Sequence, residues 1–276
     1  MSRILSTSKM QRVSNQQRCP ICLKDSWCLV SEDAAICMRV QGGKEHTFNN
    51  HAVGWLHRLK EPLPRFTPRP QVERPKLNVK DLLTEWYGDL HGPRIESLAK
   101  SLGVTFSALK LLGCVWAERY QAWAFPMRGG DGEYNGIRLR NDTGRKWAVS
   151  GSREGVFFAF GIPNAETLYV VEGPTDAAAG LSIGLDCVGR PSCYGGVEEI
   201  RIIARNAKYR QVVVVSDNDE AGRRGAKGLA DALFVPHCIL TLPAKDMREF
   251  VRNGGTESVL KYMTDNSLWS RRAEKP

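Results

Sequence analysis

Beyond Gly161 short apolar runs alternate with helical stretches, and that rhythm leaves few architectures open. Residues 168–171 read as a strand, 175–183 as a helix, 187–188 as a short strand and 198–207 as a helix. The run 212–216 is apolar up to its closing serine, as a strand covered on both faces would be. A helix over 221–233, a strand over 238–242 and helical stretches over 248–251 and 257–263 follow. Alternation of this kind predicts an α/β fold, a mostly parallel sheet flanked by helices. In an open parallel sheet, ligands collect beyond the carboxyl ends of the strands, so the residues there carry the functional question.

Acidic residues stand at those ends. The first strand runs into Val171-Glu172-Gly173, the buried one into Ser216-Asp217-Asn218-Asp219, and the last towards Lys245-Asp246. Asp176 lies one turn into the first helix, and Gly173 leaves room for a close approach above the carboxylate. Mg²⁺ or Mn²⁺ takes oxygen ligands, a few from protein and the rest from water and substrate phosphate. If residues 217–219 stay extended, Asp217 and Asp219 point into one crevice. Each signal alone has a plainer explanation: Asp-Asn-Asp before Gly222 can be a turn, and Asp219 a helix N-cap. Their joint placement at successive strand ends predicts a metal site.

Upstream, residues 79–112 carry apolar residues at helical spacing, and 121–149 read as short strands broken by turn signals. The second stretch predicts a small antiparallel unit preceding the sheet. Alternation along its strand puts Arg138 and Arg140 on one face, with Lys146 arriving on the neighbour. Such a set can hold a template phosphate or an incoming triphosphate, or can be an exposed strand face decorated with charge.

Of the eight cysteines, Cys19, Cys22, Cys28 and Cys37 fall close together near the N-terminus. Cys19-Pro20-Ile21-Cys22 is a knuckle whose two thiolates can reach one tetrahedral Zn²⁺, and Cys37 follows at a spacing that suits a zinc ribbon. A fourth ligand is available from Cys28, His46, His51 or His57. Cys114, Cys187, Cys193 and Cys238 sit among apolar neighbours and read as small core residues. Reduced thiols, a polar start without a signal-peptide core and the lack of any apolar run of membrane-spanning length point to the cytoplasm and away from a membrane.

The formal charge of the 276 residues is +9, and the N-terminal quarter holds most of the surplus: residues 1–76 carry 13 Lys and Arg against 6 Asp and Glu. A basic module on a less basic body suits an anionic polymer such as nucleic acid, while a solubilising terminus is the plainer alternative. Five prolines interleaved with Arg65, Arg69 and Arg74 make residues 61–76 an extended, semi-rigid linker. The expected division is a zinc module over 1–57, the linker over 58–77, an α+β subdomain over 78–165, the parallel-sheet domain over 166–264 and a tail over 265–276.

The segments Val170-Val171-Glu172-Gly173-Pro174-Thr175-Asp176-Ala177, Val215-Ser216-Asp217-Asn218-Asp219-Glu220-Ala221-Gly222 and Pro243-Ala244-Lys245-Asp246 closely resemble the Toprim motifs of bacterial-type primases, topoisomerases and some nucleases. The Asp-x-Asp-x-Ala-Gly form with a following Lys-Asp is similar to the primases. The resemblance implies that Glu172, Asp217 and Asp219 hold Mg²⁺, with Asp176 and Asp246 as supporting acids and Lys245 as a nucleotide- or template-binding residue. It departs at Arg248, where the primases usually carry another Asp; Glu249 is the nearest substitute. Gly136-Ile137-Arg138-Leu139-Arg140 with Lys146 resembles the subdomain that precedes Toprim in phage-type primases, where such cations line the groove. The cysteine segment, with Ile36-Cys37-Met38-Arg39 and Gly54-Trp55-Leu56-His57, is similar to primase zinc modules, which implies His57 as fourth ligand ahead of Cys28. The usual second Cys-x-x-Cys is absent, since Val40 stands three residues past Cys37.

Together these features imply a primase that joins NTPs into RNA primers on a single-stranded DNA template by two-metal nucleotidyl transfer. Trp27 and Trp55, near Arg39 and Arg58, are candidates for stacking on unpaired bases or for the small core. No Gly-x-x-x-x-Gly-Lys-Ser/Thr loop is present, so any replicative helicase partner is expected to be a separate protein. Two other readings use the same residues: a Toprim-type metal-dependent nuclease, and a non-catalytic single-stranded DNA-binding replication protein.

Overall fold

The computed structural model describes residues 10–48, 53–60, 77–87, 92–159, 166–206 and 209–270. The Pro/Arg-rich linker residues 61–76, His51 and the tail residues 271–276 lie outside the described residues. The chain divides into two compact units, Met1–Glu73 and Arg74–Pro276. Among the described residues no helix is long and apolar enough to cross a membrane.

The first unit is an antiparallel sheet of β1 (Gln11–Arg12), β2 (Leu29–Val30), β3 (Ala34–Cys37), β4 (Lys44–Thr47) and β5 (Val53–Arg58), in the order β1-β2-β3-β5-β4. Among its described residues the buried cluster is Val13, Val30, Ala35 and three cysteines, with Ala34 and Ile36 also buried and a few partly buried neighbours. So small a core contributes little stability by itself, which leaves room for a metal to hold the unit together.

In the second unit the predicted helical stretch resolves into α1 (Val79–Tyr87), α2 (Gly92–Leu102) and α3 (Phe106–Leu111). Thr105 caps α3, its hydroxyl accepting from the Ala108 N–H. A four-stranded antiparallel sheet follows, β6 (Val115–Ala117), β7 (Ala122–Arg128), β8 (Tyr134–Arg140) and β9 (Lys146–Ala148), in sequential order. Strand alternation divides β7 between two cores. Ala122 and Ala124 join α1, while Trp123, Phe125 and Met127 face the α2 and α3 side.

The parallel sheet then builds from β10 (Phe157–Phe158), β11 (Thr167–Glu172), α4 (Gly173–Ser182), β12 (Cys187–Arg190), α5 (Val197–Asn206), β13 (Gln211–Ser216), α6 (Glu220–Ala232), β14 (His237–Thr241), α7 (Met247–Arg252) and α8 (Glu257–Asp265). Its order is β10-β12-β11-β13-β14; β11 to β14 are parallel and β10 is an antiparallel edge. The β10 edge was not expected, because two residues show no periodicity to read. Alternation works on both faces: Tyr169, Val171, Val213 and Val215 pack with α4, α7 and α8, and Leu168, Val170, Val212 and Val214 with α5 and α6. The first of these cores continues into α2, α3 and β7, so the antiparallel subdomain and the parallel sheet share one interior. That shared core holds the facing edges of the two sheets rigidly with respect to each other.

Candidate functional site

After β11 the chain goes through α4 to β12 on one side, then through α5 to β13 on the other side of β11. The β11/β13 boundary is therefore a topological switch point, where a crevice opens beyond the carboxyl ends of the strands. Glu172 closes β11 and Asp217 follows directly on β13, so the two acids flank that crevice.

Local backbone chemistry sets each acid. Gly173 holds φ +80°, the left-handed region, at the turn from β11 into α4. A Cβ there would meet nothing within 4 Å, so the glycine serves the turn and leaves open space beside Glu172. At Gly222 the reason is space: an added Cβ would stand 2.7 Å from the Asp217 carbonyl oxygen, so only glycine seats α6 against the Asp217 segment. Asp219 caps α6, one of its oxygens accepting from the Gly222 N–H at 2.7 Å. The N-cap alternative thus holds at Asp219, while its second carboxylate oxygen remains available. Asn218 N–H donates to the Lys245 carbonyl at 2.9 Å, tying the loop after β14 to the Asp217 segment; the Lys245 side chain is exposed at the rim.

The acids repel one another. Burial first, then Glu172, Asp176, Asp246 and Asp219, push the Asp217 carboxyl up to about 8. Burial and Asp246 push Asp176 up to about 6, and burial raises Glu172, with Arg190 opposing. Cations stand near these acids. Arg140 and Lys146 are partners across β8 and β9, and both feel Asp176, while Arg138 turns towards Glu154 and the Pro191 carbonyl. Lys146 is exposed as a residue, yet protein around its ammonium, then Arg140, lower its pKa. Hard oxygen donors in mutual repulsion suit a divalent cation, and Glu172, Asp217 and the free oxygen of Asp219 are the residues that would hold it; among the described residues only the four cysteines of the N-terminal unit already bring their donor atoms within 4.8 Å of one another.

The raised Asp217 pKa carries a pH prediction. Its folded value exceeds the unfolded one, so the metal-free fold loses stability as pH rises from about 4 to about 8. Mg²⁺ competes with that proton, so it should raise the melting temperature of the core more at about pH 8 than at about pH 5. Equal Mg²⁺ effects at both values, measured by thermal unfolding, would refute the link between Asp217 and the ion.

Arg190 was missed. It ends β12 in register with Glu172, is buried, and donates to the carbonyls of Gly195 at 2.9 Å and Gly225 at 3.1 Å. The legible signal is a charged residue closing an otherwise apolar strand; its place beside Glu172 follows from the sheet order. One oxygen of the Glu249 carboxylate accepts from the Lys245 N–H at 2.6 Å, at the start of α7. Cys114, Cys187 and Cys238 are buried as expected; Cys193 is half-buried, its thiol pushed up to about 11 by burial and then Glu172.

In the N-terminal unit the thiol sulfurs of Cys19, Cys22, Cys28 and Cys37 all lie within 4.8 Å of one another. Cys22 and Cys28 are 3.7 Å apart, and Cys28 and Cys37 3.9 Å. Zn–S bonds of about 2.3 Å in a tetrahedron separate sulfurs by about 3.8 Å, so the quartet fits Zn²⁺ closely. Backbone N–H groups of Met38 and Val40 donate to Cys28 and Cys37, as thiolates bound to zinc require. Without a cation the set is strained electrostatically: burial, then the neighbouring thiols, push Cys28 up to about 12. Cys22 falls to about 7, because the Lys24 N–H and the other thiols outweigh burial.

This corrects the choice of His57. Its Nε2 lies 3.2 Å from the Val40 carbonyl, away from the quartet. The β2–β3 register pairs Leu29 with Ile36, so the next rung sets Cys28 opposite Cys37, whereas His57 pairs with Ala35, a two-residue step of about 7 Å along β3. Arg39 donates to the Ser26 carbonyl at 2.7 Å and reaches Cys28, so it braces the knuckle; Trp27 is 58% exposed and Trp55 half-buried.

Residues 169–251 match a family model described as Toprim-like. No curated protein sequence matches the chain. Among solved structures, the zinc-binding and RNA polymerase domains of the Aquifex aeolicus primase align at 15% identity over 69% of this chain and 60% of that one, with a TM-score of 0.57. The E. coli primase catalytic core aligns at 16% identity over 68% and 79%, with a TM-score of 0.55. A DnaG primase catalytic domain bound to single-stranded DNA aligns at 16% identity over 69% and 77%, also at 0.55. The chain thus carries a Toprim-like domain within the fold of the DnaG-type primase catalytic core.

Proposed function

We propose that this protein is a DNA primase, joining ribonucleotides on single-stranded DNA by metal-dependent nucleotidyl transfer, with Zn²⁺ held by four thiolates in its N-terminal module. The observation that carries the reading is the pairing of Glu172 and Asp217 at the sheet's switch point with the nearby cations Arg140 and Lys146. An acid site faced by cations suits a reaction between two polyanions, a template strand and a triphosphate.

In the reaction the primer 3′-hydroxyl oxygen attacks the α-phosphorus of an NTP. The bond to the bridging oxygen breaks, pyrophosphate leaves with its electron pair, and the hydroxyl proton passes to solvent. A divalent ion bound at the acids supplies charge stabilisation and a more acidic hydroxyl. The protein's own part is positioning: Arg140 and Lys146 hold phosphates over the crevice, and the shared core keeps the groove from opening.

Incubation with single-stranded DNA, labelled NTPs and Mg²⁺ or Mn²⁺ should yield short oligoribonucleotides. Cleavage of the DNA without synthesis would favour a Toprim nuclease, and tight binding with neither activity a non-catalytic replication protein. The N-terminal unit is assigned the role of template reader, on its surplus of positive charge and the exposed Trp27. Removing residues 1–76 should leave a core that binds metal but starts primers rarely and at scattered positions. The slope of log affinity against log salt should flatten by about 0.7 for each template phosphate that the removed unit had neutralised. Unchanged start sites and slope would end that assignment.

A further inference from the structure

The five acids around the crevice fall into two groups that differ in what already holds them. Glu172 and Asp217 receive no side-chain hydrogen bond from any described residue, and Asp219 uses one oxygen on its cap. Asp176 and Asp246 accept a hydrogen bond at each of their oxygens. Asp176 accepts from the Arg248 N–H at 3.1 Å and from the Thr175 hydroxyl at 3.4 Å. Asp246 accepts from the Glu249 N–H at 2.8 Å and from the Arg248 guanidinium at 3.5 Å.

Arg248 ties both members of the second group together, its backbone to one and its side chain to the other. The ion pair is largely shielded, the side chains of Arg248 and Asp246 being 22% and 12% exposed, and the guanidinium Nε is buried without a partner. A fixed positive charge thus stands where the α4 and α7 acids meet, with Arg140 and Lys146 adding positive charge nearby. A divalent ion entering there would have to displace a guanidinium and two helix-terminal hydrogen bonds, then sit against three cations.

We propose that Arg248 takes the electrostatic place of a second metal ion, so that this protein by itself binds one divalent cation, at Glu172, Asp217 and Asp219, and not two. The inference rests on the metal site of the proposed function and narrows the two-metal expectation drawn from the sequence: the second positive charge is part of the chain.

The test is Mn²⁺ binding to the full, zinc-loaded chain without nucleotide, followed by calorimetry and electron paramagnetic resonance. The wild type should bind one Mn²⁺ with an uncoupled spectrum, lost in Asp217→Asn. Arg248→Asp, which removes the guanidinium from Asp246 and adds a carboxylate while keeping the backbone N–H on Asp176, should bind two, with the exchange broadening of neighbouring ions. Arg248→Gln, close in shape and neutral, should gain a weaker second ion if the aspartate variant folds poorly. Two Asp217-dependent ions in the wild type, none at all, or no second ion in either Arg248 variant when folded, would overturn the proposal. Primer synthesis separates the two claims. Primers made with two bound ions refute this inference alone, and one bound ion without primers refutes only the primase reading.

Discussion

Asp217→Asn is expected to reduce primer synthesis by about three orders of magnitude, the scale on which a fixed charge at a reacting phosphate acts. Asparagine keeps the shape of the side chain and removes the charge that, with Glu172, would hold the ion. The same change should not weaken the metal-free fold. The Asp217 carboxyl is pushed up to about 8, so near that pH its ionised form costs stability that asparagine does not. Lost synthesis with an equal or higher melting temperature in chelator, and unchanged DNA binding, is the expected pattern. Retained synthesis would remove Asp217 from the site, and a collapse of the fold would assign it a structural role.

The second large effect concerns zinc. Cys28→Ser should abolish retention of the single Zn²⁺ and unfold the N-terminal unit, while His57→Ala should leave the metal in place. A structural zinc contributes about 10–16 kcal/mol of apparent binding energy, far more than the few buried side chains of this unit supply. Elemental analysis of both variants, with circular dichroism before and after chelation, checks the ranking. Zinc retained by Cys28→Ser and lost by His57→Ala would restore the histidine ligand. Cys19→Ser and Cys37→Ser should behave as Cys28→Ser does, since all four sulfurs crowd one point.

The sequence determined the parts of this protein in which chemistry repeats along the chain. Period-two alternation and the Val212–Val215 run specify strands buried on both faces, because a strand must send successive side chains to opposite sides. The strand and helix rhythm specifies the parallel sheet, and the preference of ligands for strand ends makes Glu172, Asp217 and Asp219 the candidate ligands. What depends on register or on approach between distant segments was decided only in three dimensions. Cys28 faces Cys37 because an antiparallel hairpin sets them on one rung, a relation that ligand spacing does not express. Arg190 meets Glu172 because β12 and β11 are neighbours, although 18 positions separate the two residues. Arg248 read as a departure from a pattern; as a cation bonded to Asp176 and Asp246 it becomes a component of the site, because α4 and α7 pack together in the folded chain.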